Sequence, residues 1–193
     1  MFQIRSLKTK IILTVISALL MSMILLLSVT GIIVRKQFVE LSTTCLSMKL
    51  SGDIQSSRDY LRASFGSLKY SNNRLIDSNN NPIDNSYEFV DSIASKFGVV
   101  ATIFAKDNDD FRRIITSIRN DKGERIVGTK LGKTSAAYEQ TIRKEQYLGK
   151  ADILGKPYLT IYDPIIDDKN DVIGIYRLPP LHQPRQKKQR YNG

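Results

Sequence analysis

Ile11 to Val34 is an unbroken run of 24 residues without a charged side chain. As a helix rising about 1.5 Å per residue it spans roughly 36 Å, more than the ~30 Å hydrocarbon core of a bilayer. Ser17, Ser22, Ser28 and Thr30 are its main polar side chains, and their hydroxyls can bond back to helix carbonyls. A cleaved secretory signal has a shorter apolar run, about 7–15 residues, and a small-residue cleavage site. Ser28-Val29-Thr30 is a poor version of that site, so the run reads as an uncleaved signal anchor. Arg5, Lys8 and Lys10 precede it, and Arg35 and Lys36 follow. The positive-inside rule then leaves residues 1–10 in the cytoplasm and puts the rest of the chain outside a bacterial-type inner membrane after a single pass.

The formal charge of +10 invites a nucleic-acid reading, but its distribution opposes one. Ten basic residues flank the apolar run or lie from Arg177 onward, and the 19 that remain between Gln37 and Tyr176 are matched by all 19 acidic residues of the chain. The globular part is electrically balanced, and no nucleic-acid partner is expected. With one histidine, His182, and one cysteine, Cys45, the chain has no intrachain disulfide, no Cys-based zinc site and no histidine-centred catalysis. Cys45 reads as a small apolar helix residue, with an intermolecular bridge in a dimer as the alternative.

Residues 37–70 read as a long stalk helix without proline. Phe38, Leu41, Cys45 and Met48 form a 3-4-3 seam, which predicts pairing with a second copy of the chain. Ile54, Leu61, Phe65 and Leu68 continue it in a shifted phase, with Gly52 at the change, and are expected to pack on the domain's own sheet. The alternative is an amphipathic helix lying on the membrane lipid. The asparagine-rich stretch 71–86 reads as a loop. Helical spacing returns over Tyr87–Phe97, closed by Gly98. The later segments read as strands over 99–105, 111–118, 125–128, 147–154, 158–165 and 172–176, with a short helix over 135–144. The expectation is an α+β fold: an antiparallel sheet of five or six strands packed on a long N-terminal helix that continues from the membrane helix. The domain is predicted to span 71–176. Residues 177–193, proline-rich and basic, are expected to be a disordered tail, and their abrupt change of character to mark a frameshift or a truncated reading frame.

Ala101-Thr102-Ile103-Phe104, Asp110-Phe111-Arg112-Arg113, Thr116-Ser117-Ile118, Gly123 to Thr129, Tyr147 to Ala151, Tyr158 to Ile165 and Val172 to Ile175 follow one another in order. In that order the stretch resembles the Cache family, the PAS-like extracytoplasmic sensor domains, and in particular the single-Cache type of methyl-accepting chemotaxis proteins. The resemblance implies a small-molecule sensor, commonly a homodimer, with a pocket on one face of the sheet. It also implies a second membrane helix, a HAMP linker and a signalling region beyond the sensor. A sensor attached to a histidine kinase or a cyclase, and a membrane-tethered interaction protein without ligand, are the competing readings.

No nucleophile elbow, P-loop or metal-spaced cluster is present, so neither an enzyme, a cofactor nor a metal site is expected. Strand alternation puts Tyr158, Thr160 and Tyr162 on one face and Leu159 and Ile161 on the other, toward the long helix. It also sets Arg113 with Ser117, opposite Arg112 with Thr116. The resemblance singles out Arg113, with Thr116 in the same stretch. Arg113 reads either as a clamp for the carboxylate of a small ligand, through its bidentate fork, or as a surface arginine paired with an acid. Thr102 and Phe104 would complete the wall and Tyr147 the rim.

Overall fold

The structure, a computed structural model, describes residues 7–153 and 155–180. The chain divides into two compact units, Met1–Cys45 and Leu46–Gly193. One helix, α1, runs through Leu7–Phe65, so the predicted membrane span and stalk belong to a single element. In the first unit its apolar side chains are exposed from Leu7 to Leu41, and by length and composition the helix can cross a membrane. The Ser17 and Ser28 hydroxyls donate to the carbonyls of Thr14 and Ile24, at 2.9 and 2.8 Å.

In the second unit α1 changes character. Leu50, Ile54, Ser57 and Leu61 are buried at the 4-3-4 spacing of one helical stripe. They meet the sheet as the shifted seam predicted, whereas Phe38, Leu41 and Met48 of the first seam are exposed. The helix stops at Phe65, five residues before the expected end. Gly66 takes a left-handed φ of 65°, and its amide closes the last turn onto the Arg62 carbonyl at 2.8 Å.

The expected loop 71–86 holds a small hairpin instead: β1 (Lys69–Ser71) pairs antiparallel with β2 (Arg74–Ile76). Asn72 and Asn73 both take positive φ, 50° and 60°, the backbone that a two-residue hairpin turn requires and asparagine tolerates. Helix α2 occupies Tyr87–Phe97 with Gly98 at its end, φ 64°, as its spacing predicted. The main sheet follows: β3 (Thr102–Asp107), β4 (Asp110–Thr116), β5 (Tyr147–Ile153), β6 (Lys156–Ile166) and β7 (Val172–Leu178), with helix α3 (Ala136–Ile142) between β4 and β5. The spatial order is β4-β3-β7-β6-β5, antiparallel throughout. The strand expected at 125–128 is not regular. Isolated bridges, Arg112↔Lys130 and Arg119↔Arg125, and a few backbone hydrogen bonds join its surroundings to β4 and the residues after it, and Gly123, Gly128 and Gly132 take φ of 81°, 79° and 88°, which interrupt a regular strand.

The last strand departs most from expectation. β7 reaches Leu178 and pairs with β3 on one side and β6 on the other. Arg177, assigned to the tail on composition, therefore lies inside the sheet. Residues 181–193 are outside the described residues.

The helix side of the sheet carries the main core. Ile103, Ile115, Ile161, Tyr176 and Leu178 pack with Leu50, Ile54 and Leu61 of α1 and with Val90 and Ile93 of α2. Phe89 joins the layers, stacked on Tyr60 at 5.5 Å and edge-on to Phe65 at 5.1 Å. Each fully buried aliphatic side chain here contributes roughly 1.5–3 kcal/mol.

Two glycines have opposite reasons to be glycine. At Gly174 of β7 an added Cβ would stand 2.5 Å from the Phe104 carbonyl oxygen of the adjoining strand, and backbone cannot step aside. At Gly52, mid-helix, it would meet nothing within 4 Å. Gly174→Ala is expected to cost about 1–3 kcal/mol by overpacking, and Gly52→Ala to stabilise by about 0.5–1 kcal/mol. Denaturant midpoints of the two variants check this, and a tolerated Gly174→Ala would contradict the β3–β7 packing.

Candidate ligand-binding face of the sheet

The second face of the sheet has a different chemistry. Thr102 and Phe104 of β3, Arg113 and Thr116 of β4, Thr160 and Tyr162 of β6, and Ile175 and Arg177 of β7 all lie on it. The pairings Thr102↔Thr116, Phe104↔Arg113, Thr102↔Arg177 and Tyr162↔Arg177 fix their neighbours. Ile115 lies opposite Ile103 and Arg113 opposite Phe104, so Ile114 is an extra residue in β4. This bulge overturns the strict alternation expected there. It resets the phase by one residue and brings Arg113 and Thr116 onto the same face, while Ile114 and Ile115 both join the helix-side core. Ser117 turns away and bonds to Ala101, accepting from its amide at 3.0 Å.

The expected wall is assembled around Phe104. The Thr102 and Thr116 hydroxyls share a buried hydrogen bond of 2.8 Å. The Arg113 and Arg177 guanidinium carbons each lie 5.4 Å from the centroid of the Phe104 ring, a cation–π distance. Arg177 is also 5.7 Å from the Tyr162 ring. Tyr147, half-buried, sets its ring edge-to-face on Tyr162 at 5.8 Å. Thr160 is fully buried on this face and donates to the Tyr158 carbonyl at 3.3 Å. Tyr158 shares the face but stands four residues from Tyr162, about 13 Å along the strand, and so lies apart from the arginines.

Arg177 is the candidate site residue that sequence reasoning missed. It is only 2% exposed, and its one hydrogen bond among the described residues runs to Thr102 Oγ1 at 3.3 Å. Arg113, half-buried, donates to the Ile126 carbonyl at 3.1 Å. Neither pairs with an acidic side chain among the described residues, and the Nε of each is buried without a partner. A guanidinium offers five N–H donors, so most of this capacity is unspent. The expected alternative for Arg113, a surface pairing with an acid, is not what the fold provides. Burial first, and then the Arg177 charge, lower the Arg113 pKa to about 10, with Tyr162 opposing. Cationic at neutral pH, Arg113 works against folding, and that opposition lifts only as pH rises through about 10.

Helix α3 packs on this face, and a glycine-bounded segment runs beside its edge strand. Residues 128–131 are fastened to the edge of β4 through Gly128 N to Arg113 O, 2.8 Å, and Leu131 N to Phe111 O, 2.9 Å. Ala137 of α3 packs with Phe104, Phe111, Tyr162 and Ile175. Two clefts open elsewhere. One of ≈ 250 Å³ lies at the β3–β4 hairpin, beside Phe111 and Tyr138. The other, ≈ 420 Å³, lies on the helix side between α1 and β6. Beside it Asp163, the neighbour of Tyr162, receives both Arg58 nitrogens, Nε at 2.9 Å, and the Gln146 amide at 2.8 Å. Tyr176, the neighbour of Arg177, buries its hydroxyl without a hydrogen-bond partner among the described residues, and burial pushes that phenol well above its ordinary pKa. Among the described residues no group of three or more His, Cys, Asp or Glu side chains is placed to hold a metal ion.

Comparison with curated proteins gives no match. Among solved structures the chain is similar to the periplasmic sensory domain of the Campylobacter jejuni chemoreceptor Tlp1, at 12% identity and TM-score 0.45, with 75% of this chain and 56% of that one covered. It is similar to the ligand-binding domain of the Campylobacter jejuni chemoreceptor Tlp3, solved with L-valine, at 13% identity and TM-score 0.40, covering 73% and 60%. A GAF domain of a two-component sensor histidine kinase from Bacillus halodurans matches at 14% identity and TM-score 0.31, over 46% and 67%. The chain thus spans little more than half the length of the first of these. The profile of the Cache 3/Cache 2 fusion domain matches residues 26–177, a wider stretch than the 101–175 resemblance, running from inside the apolar run through the stalk to Arg177. This chain belongs to the Cache 3/Cache 2 fusion domain family, a family of sensor domains.

Proposed function

We propose that this chain is the extracytoplasmic sensor of a chemotaxis receptor, anchored in the bacterial inner membrane by the first half of α1, and that it binds an acidic small molecule on the arginine-bearing face of its sheet. The observation that carries the reading is the Arg113 guanidinium, half-buried and cationic with no acidic partner among the described residues. A buried charge without a counter-charge costs several kcal/mol, and a fold keeps such a group where a ligand supplies the missing sign. Arg113 reaches the carboxylate, Thr102, Thr116 and Thr160 offer hydroxyls, and Phe104, Tyr147 and Tyr162 form the apolar wall. The function is binding and transmission, without chemistry on the ligand.

The route to the membrane helix runs through the sheet. Tyr162 and Arg177 face the ligand, and the residues beside them, Asp163 and Tyr176, face Arg58 and Ser57 of α1. A shift of β6 and β7 on binding therefore moves α1 through a charge-assisted, two-pronged contact. The exposed seam Phe38, Leu41, Cys45 and Met48 favours a homodimer through the stalk.

Two measurements test the proposal. Arg113→Met removes the uncompensated charge, so at pH 7 it is expected to raise the ligand-free unfolding free energy by about 1–2 kcal/mol, screening included, and to abolish stabilisation by acidic metabolites in a thermal-shift panel. Loss of stability with ligand response intact would exclude the arginine face as the binding site. Mild oxidation of the chain in liposomes is expected to give a disulfide-linked dimer through Cys45 that Cys45→Ser does not form. A chain that stays monomeric at every protein-to-lipid ratio would rule out the stalk pairing.

A further inference from the structure

We infer that the ligand of this face is a small dianion bridging Arg113 and Arg177, a deepening that rests on the reading of the arginine face as the binding site. One guanidinium would be enough to hold one carboxylate. This face has two, on either side of Phe104, and the deeper one is almost wholly buried. Arg177 lies on the middle strand, two residues from Ile175, at a position where an aliphatic residue would continue the core. Among the described residues its charge meets one threonine hydroxyl and two aromatic rings, and no acid. A monoanion on Arg113 would leave the Arg177 charge buried without a counter-ion, and that cost is not recovered.

The same count excludes a zwitterion. No acidic side chain stands with Arg113 or Arg177 among the described residues, and the charge felt most by Arg113 is that of Arg177. The ammonium of a free amino acid would find no carboxylate and two guanidiniums. A molecule with two carboxylates, or an equivalent doubly charged group, satisfies both arginines and adds no cation. The Phe104 ring holds both guanidinium planes in place, and each buried Nε keeps a donor for the ligand. Thr102 fixes Arg177 through a neutral oxygen, which orients the guanidinium without discharging it.

The test is calorimetric titration of the full chain in nanodiscs with malonate, succinate and glutarate, with acetate and butyrate, with valine, and with inorganic phosphate. One dicarboxylate is expected to bind about 10- to 100-fold more tightly than the monocarboxylates, the worth of one further charge-assisted contact, and valine not to bind. Arg177→Met is expected to bring that dicarboxylate down toward the affinity of a monocarboxylate, so that the selectivity ratio between the two classes collapses. Phosphate binding more tightly than every dicarboxylate supports the dianion and identifies a phosphate as its source. Acetate, butyrate or valine binding as tightly as any dicarboxylate overturns the inference and leaves the Arg113 reading standing. Absence of binding by every acid overturns both. The selectivity of the unmodified chain decides the matter even where Arg177→Met does not fold.

Discussion

The middle strand of the sheet, β7, sets the terms for the rest of the domain. Paired on both edges, it cannot slip in register without breaking two ladders at once. Its alternation sends Tyr176 and Leu178 into the core beneath α1, and Ile175 and Arg177 to the opposite face. Burying an arginine at the centre of a sheet is tolerable only because the strand is pinned by this packing. Gly174 contributes by letting the β3 backbone approach closely. The hydrophobic side of the strand therefore stabilises what its charged side destabilises.

Much of this fold is written locally. The charge-free run, the 4-3-4 stripe of Leu50, Ile54, Ser57 and Leu61, and the Tyr87–Phe97 helix with its terminal Gly98 follow from periodicity and end signals that act within a few residues. Alternation alone was sufficient to place Tyr158, Thr160 and Tyr162 on one face and Ile161 on the other. The remainder depends on information that no short window holds. The bulge at Ile114 arises from pairing with β3, and two consecutive isoleucines read as an ordinary apolar run until the partner strand is known. Without it Arg113 and Thr116 separate to opposite faces, and the site dissolves. The Asn72-Asn73 turn is a legible hairpin signal, but it was submerged in an asparagine-rich stretch, and the flanking strands are only three residues each. Arg177 is the most instructive case. Composition groups it with a basic tail, whereas Ile175, two residues before it, continues the strand pattern. A central strand tolerates a charge when its partners, Thr102 and Tyr162, shield it, and those partners come from 75 and 15 residues away in the chain.

In the proposed reading the two faces of the sheet divide the labour of a sensor. One carries two arginines without an acidic partner among the described residues, with α3 packed beside them on Phe104 and Tyr162. The other is a dense core tied to the membrane-proximal helix by Arg58 and Asp163. Adjacent residues on β6 and β7 serve both, so in the proposed reading occupancy on one side would be felt on the other through single backbone steps and not through a long chain of contacts. The ≈ 420 Å³ cleft between α1 and β6 leaves room for that movement.

Arginine side-chain NMR of the full chain tests the central claim most directly, because the Nε–H groups of Arg113 and Arg177 lack partners until a ligand supplies them. As the tightest-binding acid of the panel is titrated in, these two Nε–H signals are predicted to move together and to become protected from solvent exchange, with the remaining arginine signals little changed. If both stay unmoved while Arg58 or Arg62, beside the helix-side cleft, responds instead, the ligand binds on the other side of the sheet and the account is wrong.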